Sequence, residues 1–350
     1  MNQIKVLIVD DSALIRQTLS SIISSIVDMK VIGTASDPYV AVKQMKAEKP
    51  DVIILDIQMP RMDGLTFLKK IMTQYPIPVV VVSSIAQKDS DVAIEAYRLG
   101  AISVIEKPQM GSQLMLDKWK AELIEAILTA SKSRLSNFKF TKTSGKTPKQ
   151  QGIRGRNDIV TNSIILIGSS AGGTEVIFNI LSKLETKTLP ILIVQHMPAL
   201  FTKRFSERLN QNSKLDVKEA SSGDELQRGV VYIAHGDSHM LLRNNGFNYF
   251  TELTNDEKVN RHRPSVDVLF ESALKFTGSK FMAIILSGMG NDGSNGMHKL
   301  KDQGAITIAQ SEESSIVYGM PKEAYNSGAA DYSLSIDEII SKIISFSEKN

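Results

Sequence analysis

Hydrophobic and polar positions follow two alternating patterns in both halves of the sequence. Short runs rich in Ile and Val predict buried strands, and longer segments with apolar residues every three or four positions predict amphipathic helices. A repeated alternation of strand and helix is typical of parallel sheets with helices on both faces. We therefore predict an α/β fold with two doubly wound domains.

The first half contains five strand-like runs separated by helical segments. The predicted helices include residues 12–26, which Ser12 can cap, residues 38–47 and a last helix near residues 112–131. The predicted strands are residues 5–9, 30–35, 52–55, 79–83 and 103–106. We place the first domain at residues 1–131.

Residues 132–160 interrupt this pattern, because they are rich in Ser, Thr, Lys, Gln and Gly and contain few apolar residues. We interpret them as a basic flexible linker. Residues 132–157 hold eight Lys and Arg residues and no acid. Removing these eight charges from the formal net charge of +3 leaves −5 for the rest of the chain. The basic charge therefore belongs to the linker, and we expect no nucleic-acid-binding face.

The second half resumes the alternation at residue 163, and we place a second domain at residues 161–350. Residues 240–253 differ, because turn residues at 244–246 separate two alternating segments and predict an antiparallel hairpin. The other predicted strands are residues 163–167, 191–195, 230–234, 281–286 and 306–309. We expect a Rossmann-like, mostly parallel sheet with one antiparallel hairpin.

Length and composition limit the class of protein. The chain has 350 residues, of which 42% are hydrophobic and 23% charged, as expected for a soluble protein of two domains. No apolar run reaches the about 18 residues that a transmembrane helix needs. The absence of Cys excludes disulfides, thiolate metal sites and a thiol nucleophile. Because the sequence shows no signal-peptide pattern, we expect a cytoplasmic location without direct membrane insertion.

Three carboxylates are expected to converge at the carboxyl edge of the first sheet. Asp10 and Asp11 follow the first predicted strand, and Asp56 follows the third. Converging carboxylates repel each other and need a divalent cation, and oxygen ligands favour Mg²⁺. Ser83 ends the fourth strand and Lys107 follows the fifth, so a hydroxyl and an ammonium group lie at the same edge. These are the groups that phosphoryl transfer requires.

The segments DD, LDIQMPRMDG, VVVVSS and EKP at these positions closely resemble the receiver domain of two-component signalling. The resemblance covers residues 3–128 and implies a flavodoxin-like fold. It also implies that Asp56 accepts phosphate from a histidine kinase and that Asp10 and Asp11 help to hold Mg²⁺. Ser83 would sense the phosphoryl group and Lys107 would pair with it. Acids that merely cap helices would not explain five matching positions.

The loop after the first strand of the second domain carries a candidate nucleophile. Residues 168–172, GSSAG, fit the pattern G-x-S-x-G, which places Ser170 on a tight turn between a strand and a helix. The N-terminus of the next helix offers free N–H groups to a developing oxyanion. The alternative is a phosphate-binding glycine loop, which the missing Lys of a P-loop disfavours.

A nucleophilic serine needs a base and an acid that orients the base. His196 follows the strand ILIVQ at the same sheet edge as Ser170, and His235 competes with it after the strand VVYIA. Asp292 follows the strand FMAIIL, although Asn-Asp-Gly is also a common turn. Residues 288–293 also fit the dinucleotide fingerprint G-x-G-x-x-G, so a dinucleotide-binding oxidoreductase is an alternative.

Six further segments of the second domain carry a recognisable pattern: IGSSAGGTE, QHMP followed by FTKRFSERLN, SGMGNDGSNGM, NRHRPSVDVLF, GDSHM and YGMPKEA. They closely resemble the catalytic domain of the bacterial chemotaxis protein-glutamate methylesterase/protein-glutamine glutaminase family. The resemblance runs over nearly all of residues 162–340. It implies that the nucleophile is Ser170, the base His196 and the acid Asp292, with the oxyanion donors near Met289.

Two positions depart from the family pattern. Ala171 follows the nucleophile where Thr is common, so assistance from a hydroxyl would have to come from elsewhere, for example from Ser169. His235 stands where the family usually has Pro, and no role is assigned to it.

The resemblance implies a phosphorylation-regulated hydrolase that acts in sensory adaptation during chemotaxis. It would hydrolyse glutamate 5-O-methyl esters and deamidate glutamines on methyl-accepting chemoreceptors, without a cofactor in the catalytic domain. A chemotaxis histidine kinase would be the phosphodonor. The strand–helix alternation argues against a helical DNA-binding output domain. We further expect the unphosphorylated receiver to cover the catalytic cleft and phosphorylation of Asp56 to weaken this contact.

Overall fold

The computed structural model describes residues 3–84, 90–107, 113–137 and 162–350. The chain divides into two units, Met1–Phe140 and Thr141–Asn350, and each is considered by itself. Most of the predicted linker, residues 138–160, lies outside the described residues. The interpretation of this segment and the predicted bounds of the two domains stay predictions.

In its described residues, the first unit contains five strands and five α-helices, followed by a short 3₁₀ helix at Leu135–Asn137. The strands are β1 Ile4–Val9, β2 Met29–Ala35, β3 Val52–Leu55, β4 Val79–Ser83 and β5 Ser103–Glu106. The helices are α1 Ala13–Ser24, α2 Pro38–Ala47, α3 Gly64–Gln74, α4 Ser90–Arg98 and α5 Gln113–Ser131. All strand pairs are parallel and follow the order β2-β1-β3-β4-β5, which is the flavodoxin-like order.

Polar residues in the loops that follow β1, β2 and β3 begin three helices of this unit. The side chains of Ser12, Asp37 and Asp63 accept hydrogen bonds from the first-turn N–H groups of α1, α2 and α3. Such caps satisfy donors that have no partner within the helix. The strands between them are apolar, and every residue of β3 is buried. These three helices therefore begin in the loops at the carboxyl edge of the sheet, where the predicted phosphoacceptor lies.

The second unit contains a seven-stranded sheet and a separate two-stranded hairpin. The sheet strands are β6 Ser163–Ser169, β7 Ile191–Gln195, β8 Asp216–Glu219, β9 Val230–Ile233, β12 Lys280–Ile285, β13 Ile306–Gln310 and β14 Tyr332–Leu334. The hairpin strands are β10 His239–Asn244 and β11 Tyr249–Thr254. The helices are α6 Gly173–Ser182, α7 Ala199–Gln211, α8 Val266–Ala273, α9 Ser294–Asp302, α10 Met320–Asn326 and α11 Ile336–Lys349.

The seven strands are all parallel and follow the order β14-β13-β12-β6-β7-β9-β8. The antiparallel hairpin packs against α8 and does not extend the main sheet. The predicted fold class is confirmed for both units. Two short edge strands, β8 and β14, were not predicted. None of the helices in the described part of the chain combines the length and the apolar character that crossing a bilayer requires.

Candidate functional site

Three neighbouring strands bring the predicted catalytic residues to one edge of the second sheet. β6 lies in the middle and pairs with β7 on one side and with β12 on the other. Ser170 follows β6, His196 follows β7, and Asp292 lies in the loop between β12 and α9. Because the strands are parallel, all three loops leave the sheet at its carboxyl edge.

The backbone of Ser170 is held on both sides of the turn. Its N–H donates to the Ser287 carbonyl at 3.0 Å, and its carbonyl accepts from Gln195 Nε2 at 2.9 Å. Gly172 takes a left-handed φ of 72° immediately before α6 begins. The segment at Gly288 packs closely against this loop, because a Cβ on Gly288 would lie 2.8 Å from Ser170 Cβ. Within the described residues, no hydrogen bond involves Ser170 Oγ, so the hydroxyl is left for chemistry.

Asp292 is the most strongly bonded carboxylate of this site and is only 2% exposed. Its Oδ2 lies 2.8 Å from His196 Nε2 and accepts from the Val266 N–H at 2.7 Å. Its Oδ1 accepts from Ser265 Oγ at 2.7 Å, from Asn260 Nδ2 at 2.8 Å and from a second α8 N–H at 3.3 Å. Ser265 is the N-cap of α8, so the carboxylate also lies at the positive end of a helix.

These contacts determine the charge of Asp292. Burial alone would raise the pKa of Asp292, but the hydrogen bond and charge of His196, with the bonds from Asn260 and Val266, lower the pKa well below its ordinary range. The carboxylate is therefore ionised at neutral pH and only accepts hydrogen bonds.

The ionised acid also determines the tautomer of His196. Because Asp292 accepts at Nε2, this nitrogen carries the proton of the neutral ring, and the lone pair lies on Nδ1. Nδ1 is buried and has no hydrogen-bond partner among the described residues. The sequence predicted that His196 and Asp292 share a sheet edge, but it gave no indication of which ring nitrogen faces the acid.

Two glycines leave room for the side chain of Val266, whose N–H binds Asp292. A Cβ on Gly168 would lie 2.3 Å from Val266 Cγ1, and a Cβ on Gly293 would lie 2.5 Å from the same atom. Gly168 is in β6 just before the Ser170 turn, and Gly293 follows Asp292. Val266 therefore packs between the loops that carry the nucleophile candidate and the acid.

The other residues considered in the sequence take different places. Ser169 is buried and donates to the Ser287 carbonyl at 3.3 Å. Met289 is half-buried, and its N–H makes no hydrogen bond within residues 162–350. His235 is half-buried after β9, and its Nδ1 has no partner among the described residues. Ala171 offers no hydroxyl, and its carbonyl accepts from Ser287 Oγ at 2.9 Å.

Sequence reasoning assigned no role to three residues that contact the candidate pair. Asn260 and Ser265 bind the Asp292 carboxylate, and the ring of His262 stacks on that of His196. All three belong to the segment NRHRPSVDVLF, whose resemblance to the family was the available signal but gave no role to its individual residues.

In the first unit, the three predicted acids form one cluster. Carboxylate oxygens of Asp10, Asp11 and Asp56 lie within 4.8 Å of one another. Lys107 Nζ lies 2.7 Å from Asp10 Oδ2 and 2.8 Å from Asp56 Oδ2. Asp10 and Asp56 are buried, Asp11 is exposed, and Ser83 is buried at the end of β4. The structure therefore brings an ammonium group and three carboxylates together.

The single positive charge of Lys107 compensates only part of the negative charge of the three carboxylates. Burial raises the pKa of Asp10 and outweighs the opposing hydrogen bond and charge of Lys107. Burial would lower the pKa of Lys107, but its hydrogen bonds to Asp10 and Asp56 raise it. Three hard oxygen donors around one point fit a divalent cation such as Mg²⁺.

Comparison with known proteins supports the same division of the chain. Residues 165–343 match the family model described as CheB methylesterase, and residues 6–117 match the response regulator receiver domain. A protein-glutamate methylesterase/protein-glutamine glutaminase of Geobacter metallireducens is 42% identical over 98% of this chain and 99% of its own length. One from Oleidesulfovibrio alaskensis is 44% identical over 97% of this chain and 98% of its own length.

The chain belongs to the CheB methylesterase family. Among solved structures, the CheB methylesterase catalytic domain of Thermotoga maritima is 42% identical, with a TM-score of 0.51. It covers 52% of this chain, and the match spans 97% of that domain. The family resemblance predicted from the sequence is confirmed.

Membership in the CheB family leaves no support for the dinucleotide alternative. In the structure, Gly288 lies against Met320 and Ser170, because a Cβ there would meet Met320 Sδ at 2.5 Å and Ser170 Cβ at 2.8 Å. This glycine permits a close approach of two loops of the CheB site.

Proposed function

We propose that the chain is a receiver-regulated protein-glutamate methylesterase and protein-glutamine glutaminase, with Ser170 as nucleophile, His196 as base and Asp292 as orienting acid. Methyl-accepting chemoreceptors are its substrates, and the reaction serves sensory adaptation in chemotaxis. The single observation that carries the assignment is the 2.8 Å contact between His196 Nε2 and the ionised Asp292, beside the turn that bears Ser170.

The first half of the reaction forms an acyl-enzyme. Ser170 Oγ attacks the side-chain carbonyl of a glutamyl methyl ester, and its proton moves to His196 Nδ1. Asp292 stabilises the resulting imidazolium through Nε2. The Met289 N–H is a candidate donor to the oxyanion. Collapse of the tetrahedral intermediate breaks the C–O bond of the ester, and His196 gives its proton to the departing methanol.

The second half restores the enzyme. Water attacks the acyl group, and His196 removes its proton. His196 returns this proton to Ser170 Oγ as the bond to the acyl carbon breaks, which releases glutamate and restores both residues. A glutamine side chain follows the same route with ammonia as the leaving group. The use of Nδ1 as the base is the reverse of the serine protease arrangement, in which the acid contacts Nδ1. Both arrangements satisfy the same chemistry, because each leaves one basic nitrogen for the hydroxyl.

The receiver supplies the control. We assign Asp56 as the phosphoacceptor for a chemotaxis histidine kinase, Ser83 and Lys107 as the residues that respond to the phosphoryl group, and Asp10, Asp11 and Asp56 as the holders of Mg²⁺. Bound Mg²⁺ would offset negative charge during phosphoryl transfer. The short contacts of Lys107 with Asp10 and Asp56 support this assignment.

The nucleophile is tested with two single-hydroxyl deletions in the full chain. Ser170→Ala should abolish methanol release from methylated receptor membranes without changing thermal unfolding. Ser169→Ala removes the neighbouring buried hydroxyl and should retain most of the activity, because this hydroxyl donates to a backbone carbonyl. Methanol release near the wild-type rate in Ser170→Ala would eliminate the proposed nucleophile.

A further inference from the structure

A tight turn precedes α8 and lies over the candidate catalytic pair. Val259 and His262 exchange two backbone hydrogen bonds, of 3.1 and 2.9 Å. The two residues between them, Asn260 and Arg261, both have positive φ, of 51° and 71°. Positive φ at both central residues is the pattern of a type I′ turn, in which Asn is favoured at the first position. The turn fixes the direction of the Asn260 and His262 side chains, which contact the candidate catalytic pair.

The amide of Asn260 joins two carboxylates that would otherwise repel each other. Its Nδ2 donates to Asp292 Oδ1 at 2.8 Å and to Asp267 Oδ2 at 2.7 Å. Asp267 is held from its other side, because its Oδ1 accepts from the Gly296 N–H at 2.6 Å. Asn260 is therefore a bridge that limits the rotation of the Asp292 carboxylate.

The ring of His262 lies flat on the ring of His196. The two ring centroids are 3.7 Å apart and the ring planes differ by 11°. Burial and the neighbouring charge of His196 lower the pKa of His262 to about 3. His262 is therefore neutral at working pH and does not repel the imidazolium that forms on His196 during the reaction.

Each contact restrains a different motion of the base. The hydrogen bond between Nε2 and Asp292 fixes one atom of the His196 ring but still permits the ring to tilt about that contact. A stacked neighbour opposes such a tilt, because the faces of the two rings would collide. Together the two restraints hold the His196 ring in one orientation, with Nδ1 as its unbonded nitrogen. Misplacement of a catalytic base by about 1 Å can cost roughly 100-fold in rate.

We propose that Asn260 and His262 are positioning residues of the esterase site: Asn260 holds the carboxylate of Asp292, and His262 holds the plane of the His196 ring. Neither residue is assigned a contact with substrate. This inference rests on the proposed function, since it assumes that His196 is the base.

The His262 assignment is tested with three variants of the full chain, assayed for methanol release. His262→Ala removes the stacked ring and should lower kcat by about 10- to 100-fold while KM changes less than about 2-fold. His262→Phe keeps a neutral flat ring and should restore kcat to within about 3-fold of wild type. His262→Arg keeps a flat group but adds a positive charge, and it should be slower than His262→Phe.

A spectroscopic readout separates positioning from a merely structural role. In chain labelled with ¹⁵N-histidine, we expect the Nε2–H tautomer of His196 in the wild type and in His262→Phe. His262→Ala should give averaged or broadened signals from this ring. Wild-type kcat in a folded His262→Ala variant would overturn the inference, and so would a loss in folded His262→Phe as large as that in His262→Ala.

Asn260 provides an independent test at the same turn. Asn260→Gly permits the same positive φ and removes the side chain with its amide. We expect kcat to fall by roughly 10-fold with KM nearly unchanged. Arg261→Gly is the matched control, because it also suits positive φ but deletes an exposed side chain. Equal activity of the two glycine variants would contradict the role of Asn260.

The failure of this inference is distinguishable from the failure of the proposed function. Activity that persists in Ser170→Ala removes the proposed function, whatever the His262 variants do. An inactive Ser170→Ala together with a fully active His262→Ala and Asn260→Gly removes only the positioning role.

Discussion

Asp10 and Asp292 are buried carboxylates at the same kind of position, the carboxyl end of a strand in a parallel sheet, yet their pKa values shift in opposite directions. Asp292 accepts from three backbone or hydroxyl donors of α8, from an amide and from an imidazole. Asp10 accepts from one backbone N–H and shares the ammonium group of Lys107 with Asp56. The number of hydrogen-bond donors therefore decides the direction in which burial and contacts together shift the pKa.

This difference matches two different tasks. A carboxylate that is fully bonded has a fixed orientation and can hold an imidazole through a catalytic cycle. A carboxylate pocket with unused lone pairs and one ammonium group is left able to accept a cation and a phosphoryl group. The Asp292 carboxylate is saturated with protein contacts, whereas the receiver pocket has unused capacity to bind.

The largest effect is expected from weakening the fully bonded acid. Asp292→Asn places an amide NH₂ where donors converge and removes the charge that stabilises the His196 imidazolium. By analogy with the same change in a serine protease triad, kcat should fall by roughly 10³- to 10⁴-fold. Methanol release from methylated receptor measures the effect, with the exposed Asp302→Asn in α9 as control. Retention of more than a tenth of the activity would remove Asp292 from the mechanism.

Removing the phosphoacceptor should affect control and leave the chemistry intact. In Asp56→Asn, acetyl phosphate with Mg²⁺ should no longer stimulate methanol release, while the unstimulated rate stays within about 2-fold of wild type. Asp28→Asn, an exposed change in the same unit, should respond like wild type. Stimulation that survives in Asp56→Asn would mean that another group accepts the phosphate.

Removing the ammonium group that Asp10 and Asp56 share tests how much it stabilises the receiver. Lys107→Met leaves Asp10 and Asp56 buried without their cation, and the free energy of unfolding should drop by about 3 kcal/mol without divalent ions. Added Mg²⁺ should recover part of this loss through binding to the native state. Urea titration followed by Trp119 fluorescence reports on this unit alone, because Trp119 is the only Trp of the chain and lies in α5.

An unchanged midpoint in Lys107→Met without Mg²⁺ would show that the two contacts of Lys107 contribute little to stability. The role of Asp11 is tested by adding Asp11→Asn to the Lys107→Met variant. If Ca²⁺ or Mg²⁺ recovers the stability of this double variant to the same extent, Asp11 is not a ligand.

The last effect concerns stability at acid pH and leaves activity near neutral pH unchanged. The folded pKa of Asp292 lies below its unfolded value of about 3.9, so its stabilisation is present above that pH and is lost as the pH falls below it. His262 has a folded pKa of about 3, below its unfolded value, so its contribution declines as the pH falls from about 6.5. His262→Phe should therefore flatten the dependence of second-unit stability on pH between about 6.5 and 3. NMR of the folded fraction at each pH measures this dependence. If stability changed with pH in His262→Phe as it does in the wild type, His262 would not be buried and neutral.

The predictability of the fold followed the burial of each strand. The predicted bounds of β3, β4 and β7 agree with the structure, because these strands are mainly apolar and buried at every position. The predicted bounds of β5 agree as well, although only its central Val and Ile are buried. The edge strand β8, with the sequence DVKE, buries only its Val, so its pattern resembles that of a loop. Tertiary pairing with β9 makes it a strand.

The candidate site was predictable to the level of the sheet edge. Strand ends and the family resemblance pointed to Ser170, His196 and Asp292, and their assigned roles remain to be tested. The contacts of Asn260 and His262 were not predictable, because a local turn aims these side chains at residues 32 and 66 positions away. Neither periodicity nor a short motif contains such long-range information.

The packing of Val266 between Gly168 and Gly293 also limits how this sequence can diverge. A side chain at either glycine would enter the space of Val266, whose backbone holds the acid, so a lone replacement at 168 or 293 should be selected against. A smaller residue at 266 would have to accompany a replacement at 168, whereas a side chain at 293 would be strained even then, because Gly293 has a φ of 93°. In libraries designed to alter substrate choice, positions 168, 266 and 293 are therefore best varied as one linked set or left untouched.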